Sequence, residues 1–144
     1  MPQVPSLGAR LEALGRKFGA REAEHREALE RAHTFAEKLR GAVAEAVGCF
    51  HSGAASTGAP HLRIDVSEIR VDDKHVRAVE FDLLRGRHKA VVIAKARGEV
   101  TLVGPFHLGK TEEPCLSFPF NAEAEIREAL GPFLERFAEA AAAP

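Results

Sequence analysis

The sequence predicts an α+β domain, in which a long N-terminal helical segment and a C-terminal helix flank an antiparallel meander sheet of four to five strands. Three observations lead there. Apolar residues recur at period two between His61 and Phe120, helical-period apolar residues come before and after that stretch, and the turns inside it are too short for parallel crossovers. The 144 residues amount to one domain, long enough for a core without disulfides or metal.

Met1 to Pro5 reads as a loose end, and Ser6 has the hydroxyl to cap a helix. Apolar residues follow at Leu7, Leu11, Leu14 and Phe18, then at Ala28, Ala32, Phe35, Leu39, Ala42 and Ala46. They fit alternating d and a positions of a heptad, interrupted by Arg21 and His25. Gly15 and Gly19 each cost about 1 kcal/mol relative to alanine in a helix interior, so residues 6–47 form one long helix or two shorter ones. A single helix of about 40 residues would be roughly 60 Å long, more than the sheet can cover. Its stripe either lies on its own sheet or pairs with a second copy of the chain. Residues 48–60, uncharged and rich in small side chains, are expected to be a flexible connector.

Leu62, Ile64 and Val66 alternate with polar residues as in a half-buried strand, and the phase then slips to Ile69 and Val71, which predicts a bulge near Ser67 and Glu68. Asp72-Asp73-Lys74 is a polar turn. Val79, Phe81 and Leu83 mark the next inward face, ended by Arg85-Gly86. Ala90 to Ala94 is apolar on both faces and needs two covers, supplied either by the two helices or by a partner subunit. Arg97-Gly98 suits a two-residue hairpin turn before Val100, Leu102 and Phe106. After a loop at Gly109 to Pro114, Leu116, Phe118 and Phe120 form a last strand that Pro119 places at an edge. Asn121 is the expected cap of a helix over 121–141, with Ile126, Leu130, Phe133, Leu134 and Phe137 as its stripe and Pro132 kinking or restarting it.

A net charge of −1 and a pI near 6.7 speak against a strongly basic nucleic-acid binder and a polybasic membrane protein. The balance is uneven: residues 61–110 carry ten Lys/Arg against seven Asp/Glu, and 111–144 carry two against seven. Cys49 and Cys115 show no paired spacing, so no disulfide framework is expected. Without a leader-like start or a run of about 18 apolar residues, the expectation is a cytoplasmic protein with no membrane contact. Trp and Tyr are absent, which leaves phenylalanine as the stacking aromatic.

Gly104-Pro-Phe-His-Leu-Gly109-Lys110-Thr111 matches the phosphate-loop pattern G-x-x-x-x-G-K-T. That mechanism needs a helix opening at the lysine and threonine, whereas Glu112, Glu113 and Pro114 follow, so nucleotide binding is disfavoured. Cys49, His51, His107 and Cys115 include Zn²⁺ donor types, but at no established spacing, and no metal or cofactor is expected. No serine lies in a nucleophile elbow and no cysteine in a reactive context. Asp65, Asp72, Asp73, Glu80 and Asp82 are the acid/base candidates and read better as solvated strand and turn residues, so no catalytic constellation is assigned.

Arg85-Gly-Arg-His-Lys-Ala-Val-Val92 resembles the glycine-turn and basic-strand element of PUR repeats, and Ile126 to Phe137 resembles their closing helix. Over residues 61–137 the chain is similar in plan to PUR-repeat and PC4-like single-stranded nucleic-acid-binding domains. The resemblance implies dimerisation and a nucleic-acid face at Arg87, His88 and Lys89, to which Arg77 and Lys95 are added because neighbouring strands could bring them close. The reading taken forward is a non-enzymatic binding or interaction module that self-associates, with an unidentified protein partner and with single-stranded nucleic-acid binding as the alternative.

Overall fold

In the computed structural model, which describes residues 4–72, 77–107 and 115–142, helix α1 spans Leu7–Ser56. The strands are β1 (Asp65–Val66), β2 (Arg70–Asp72), β3 (Ala78–Arg85), β4 (His88–Lys95), β5 (Glu99–His107) and β6 (Cys115–Pro119), and helix α2 spans Glu123–Ala142. The antiparallel sheet runs β1-β3-β4-β5-β6, with β2 also paired to β3. Six strands thus fill five lanes, because β1 and β2 are pieces of one edge strand. From Val66 opposite Leu83 to Arg70 opposite Glu80, the edge advances four residues while β3 advances three. The extra residue is the bulge that the slip at Ser67 and Glu68 predicts. Asp82 N–H donates to Ser67 Oγ at 2.8 Å. From α1, Arg40 Nε donates to the Ser67 carbonyl at 2.8 Å, tying the kinked edge to the helix.

Arg85 pairs with His88 across a two-residue turn in which Gly86 has φ +60. Lys95 pairs with Glu99, so the β4–β5 loop has three residues rather than the expected two, and Gly98, at φ +96, takes the left-handed position that closes such a loop. A second irregularity lies between Lys89 opposite Phe106 and Val91 opposite Val103. Gly104 sits there at φ +109, before a cis bond to Pro105. A Cβ at this glycine would stand 3.0 Å from the Lys89 carbonyl oxygen and 3.1 Å from Ala90 Cα, so only glycine fits.

Both helices cover the same face of the sheet. Leu39, Val43 and Val47 of α1 and Ile126, Phe133 and Phe137 of α2 bury Phe81, Leu83, Ala90, Val92, Val100 and Leu102. Where α1 crosses β3 and β4 the contact is small on both sides, Ala32 and Ala36 against Val79 and Ala94, so the helix comes close to the sheet. The two covers predicted for β4 are therefore not one helix on each side. The opposite face is screened by its own long charged side chains.

α1 is a single helix of 50 residues, about 75 Å long. Gly15 and Gly19 do not divide it, and Gly48–Ser56, expected as part of a flexible connector, are its last turns. Ser6 caps it as predicted, accepting from Ala9 N–H at 3.1 Å. The buried positions are Ala32, Ala36, Leu39, Val43 and Val47, whereas Ala42 and Ala46 of the predicted heptad are exposed. A helix that follows a sheet without supercoiling keeps a period of 3.6 rather than 3.5, and the stripe drifts accordingly. α2 runs unbroken through Pro132. It begins at Glu123, with the Ala122 carbonyl accepting from Ile126 N–H, so the expected cap, Asn121, lies one residue too early. No helix among the described residues is long and apolar enough to cross a membrane.

Candidate functional site

The sheet face away from the helices carries Arg70 on β2, Glu80 and Asp82 on β3, Lys89, Val91, Ile93 and Lys95 on β4, and Glu99, Thr101 and Val103 on β5, as the register and the alternation of strand side chains require. Val91, Asp82 and Thr101 are buried although no helix lies over them. The cover of Asp82 is ionic. Arg70 clamps both Asp82 carboxylate oxygens at 2.7 and 2.8 Å and reaches Glu80 at 2.7 Å. Lys89 Nζ stands 3.7 Å from Asp82. Asp82, and with it Glu80, holds the Arg70 guanidinium protonated more firmly than usual, against partial burial. At the other end Glu99 accepts from Arg97 at 2.7 Å and from Lys95 at 3.3 Å. Arg97, and then Lys95, lower its carboxyl below the usual range. Thr101 and Ser117 hydroxyls meet at 2.9 Å.

The five residues of the basic-face expectation do not converge. Lys89 and Lys95 share this face at opposite ends of β4, and both already have carboxylate partners. Arg77 turns to α1, 3.7 Å from Glu22. His88 leaves the face and meets the His107 ring edge-on at 5.0 Å between centroids. Arg87, exposed in the hairpin turn, has no ion pair among the described residues. Of the phenylalanines, Phe106 alone is paired in register on this side, opposite Lys89; Phe35 and Phe120 stack on each other at 4.4 Å beneath the sheet.

Other chemistry suggested by the sequence is dispersed. Cys49 and Cys115 are free and exposed. His51 Nε2 accepts from Ile64 N–H at 2.9 Å, fixing the end of α1 to the chain entering the sheet. No group of three metal-ligating side chains gathers among the described residues. Gly104 lies inside β5, and the next described element is the strand β6; Gly109, Lys110 and Thr111 of the phosphate-loop match lie outside the described residues.

Among the described residues, the first half of α1 carries a row of large apolar side chains with no cover. Leu7, Leu11, Leu14 and Phe18 are 78, 67, 44 and 54% exposed. They stand at helical spacing on one side of an arm that the sheet does not cover. A line drawn at 3.6 residues per turn from Leu7 passes Phe18, His25 and Leu29 and continues to Ala36, Val43 and Phe50. The exposed stripe and the buried stripe are one stripe. The sequence signalled this arm through its apolar spacing, but whether the sheet would reach it depends on where β2 and β3 end, which periodicity does not encode.

Comparison with known proteins gives no match: no family model, no curated protein and no solved structure is similar to this chain.

Proposed function

We propose that this protein is a non-enzymatic, cytoplasmic interaction module that self-associates through the arm formed by residues 7–28 of α1. The supporting observation is the row of four large apolar side chains left in solvent on a helix whose continuation buries the same face. Isolated exposed apolar residues are ordinary, whereas a contiguous row marks a contact surface. Burying the exposed part of each side chain contributes about 1–2 kcal/mol, so two arms together supply on the order of 10 kcal/mol. Association itself costs about 4–15 kcal/mol, so at the low end of that cost about 6 kcal/mol remains, which points to a weak, reversible dimer with a Kd of roughly tens of micromolar.

Sedimentation equilibrium from about 1 to 200 µM is the test. The expected result is a mass rising from one chain towards two, and a Leu11→Ser, Leu14→Ser variant that stays at one chain while keeping the melting temperature of the dilute, monomeric wild type. A wild-type protein monomeric throughout overturns the reading. Anisotropy with labelled single-stranded DNA and RNA separates the competing class, since phosphate contacts give a steep salt dependence. The carboxylate partners of Lys89, Lys95 and Arg77 lead us to expect no binding at physiological salt.

A further inference from the structure

Resting on that reading, we infer that the two arms pair antiparallel over their full length, so that Leu7 of one chain lies against His25 of the other. The direction follows from the continuity of the stripe. From Leu29 onward the apolar line of α1 faces its own sheet. A parallel partner lying along Leu7 to Phe18 would, within three further turns, occupy the space of that sheet. It would also set Arg21 beside Arg21 on the seam. An antiparallel partner meets no such obstacle, because its own body leaves in the opposite direction, beyond Leu7.

Charge selects the register. Residues 7–21 carry four cations, Arg10, Arg16, Lys17 and Arg21, against Glu12, whereas residues 22–30 carry four glutamates against Arg26. With Leu14 opposite Phe18 of the second chain, Arg10 flanks the seam next to Glu24 of that chain, twice by symmetry, and Lys17 meets its own copy once, so two attractive pairs outweigh one repulsive pair. A register one heptad shorter would place Leu7 opposite Phe18, and Arg10 would then face Lys17, also twice. Gly8 and Gly15 fall on one flank of the seam, and a Cβ at Gly15 would have nothing within 4 Å, so the backbones can approach there. Arg21 stands on the seam opposite Leu11, its guanidinium 5.7 Å from the centroid of the Phe18 ring of its own chain, which leaves its aliphatic stem as the covering surface. The tip, Leu7, lands at the recess bounded by Glu22, His25, Arg26 and Leu29 of α1 and by Arg77.

Cysteine cross-linking in the full chain, with Cys49→Ser and Cys115→Ser, tests direction and register. Equimolar Leu7→Cys and His25→Cys chains are expected to form a mixed disulfide under mild oxidation, and Leu7→Cys alone none. Self-linking of Leu7→Cys means parallel arms, and preferential linking of Leu7→Cys with Phe18→Cys means the shorter register; either overturns the inference. A dimer by sedimentation with no arm cross-link at any of these positions also overturns it while leaving self-association standing. A protein that never exceeds one chain removes both. Arg10→Glu is expected to weaken the dimer about fivefold, with Arg10→Glu, Glu24→Arg restoring it, at the scale of exposed ion pairs. Failure of the double variant to restore affinity overturns the register.

Discussion

The two halves of α1 share one helix and one apolar line, yet they do different things. From Leu29 on, the line is filled with residues suited to the sheet: alanines where β3 and β4 come close, then Leu39, Val43 and Val47, all nearly inaccessible. Before it, the same line holds leucines and a phenylalanine, larger than the alanines, with solvent where the sheet would be. The helix is continuous from Leu7 to Ser56, so the covered half sets the direction in which the free half presents its stripe. What the difference teaches is that the covered half makes the fold and the free half is left for association.

The sharpest division comes from matched truncations. Leu39→Ala empties a core position and is expected to cost about 3 kcal/mol, several degrees of melting temperature. Leu14→Ala, the same change on the same line, is expected to leave the unfolding free energy of the dilute chain within about 0.5 kcal/mol and to lower the dimerisation constant instead. Equal stability losses in urea titrations of the two would break the comparison. Next in size is overpacking. Ala36→Leu drives a large side chain into the contact with Val79 and Ala94 and should cost about 2 kcal/mol, measured the same way.

A smaller effect separates the halves by backbone rather than by packing. Gly19→Ala adds a methyl group with nothing within 4 Å, away from the stripe, and should stabilise the arm by up to about 1 kcal/mol. Slower amide exchange confined to residues near 19 is the expected signature; slowing that spreads into the sheet would mean that the arm and the body unfold together.

Much of this fold was legible from residue spacing. The strands, the bulge at Ser67 and Glu68, the edge position of β6 and the cap at Ser6 follow from local pattern and local chemistry. Other features depend on contacts between distant elements. The connector expected at 48–60 is helix up to Ser56, because Ile64 N–H is held by His51 and Phe50 packs on the core, neither of which composition shows. The double apolar face of β4 was legible, but its second cover was not: Arg70 must reach across from β2 to bury Asp82, and that pairing exists only once the bulge has set the register. For the same reason the basic residues of β4 read as a free surface in the sequence, while the fold gives Lys89 and Lys95 carboxylates of their own.

The smallest perturbation lies wholly outside α1 and asks whether the sheet face takes part in association. The Glu99 carboxyl is lowered by Arg97 and, second, by Lys95. A group whose carboxyl titrates lower in the folded chain than in the unfolded one stabilises the fold at pH values above its unfolded value, about 4.3. That contribution disappears as the pH falls through the folded value. Glu99→Gln should therefore melt slightly below wild type at pH 7, and the gap should close as the pH falls through the lowered folded value, beneath which both side chains are neutral. Its dimerisation constant at pH 7 should equal that of wild type, since Glu99 lies on β5, on the far side of the sheet from α1. A weakened dimer would place part of the contact on the ion-paired face and end the division of labour along α1, whereas an unchanged one confines association to the arm.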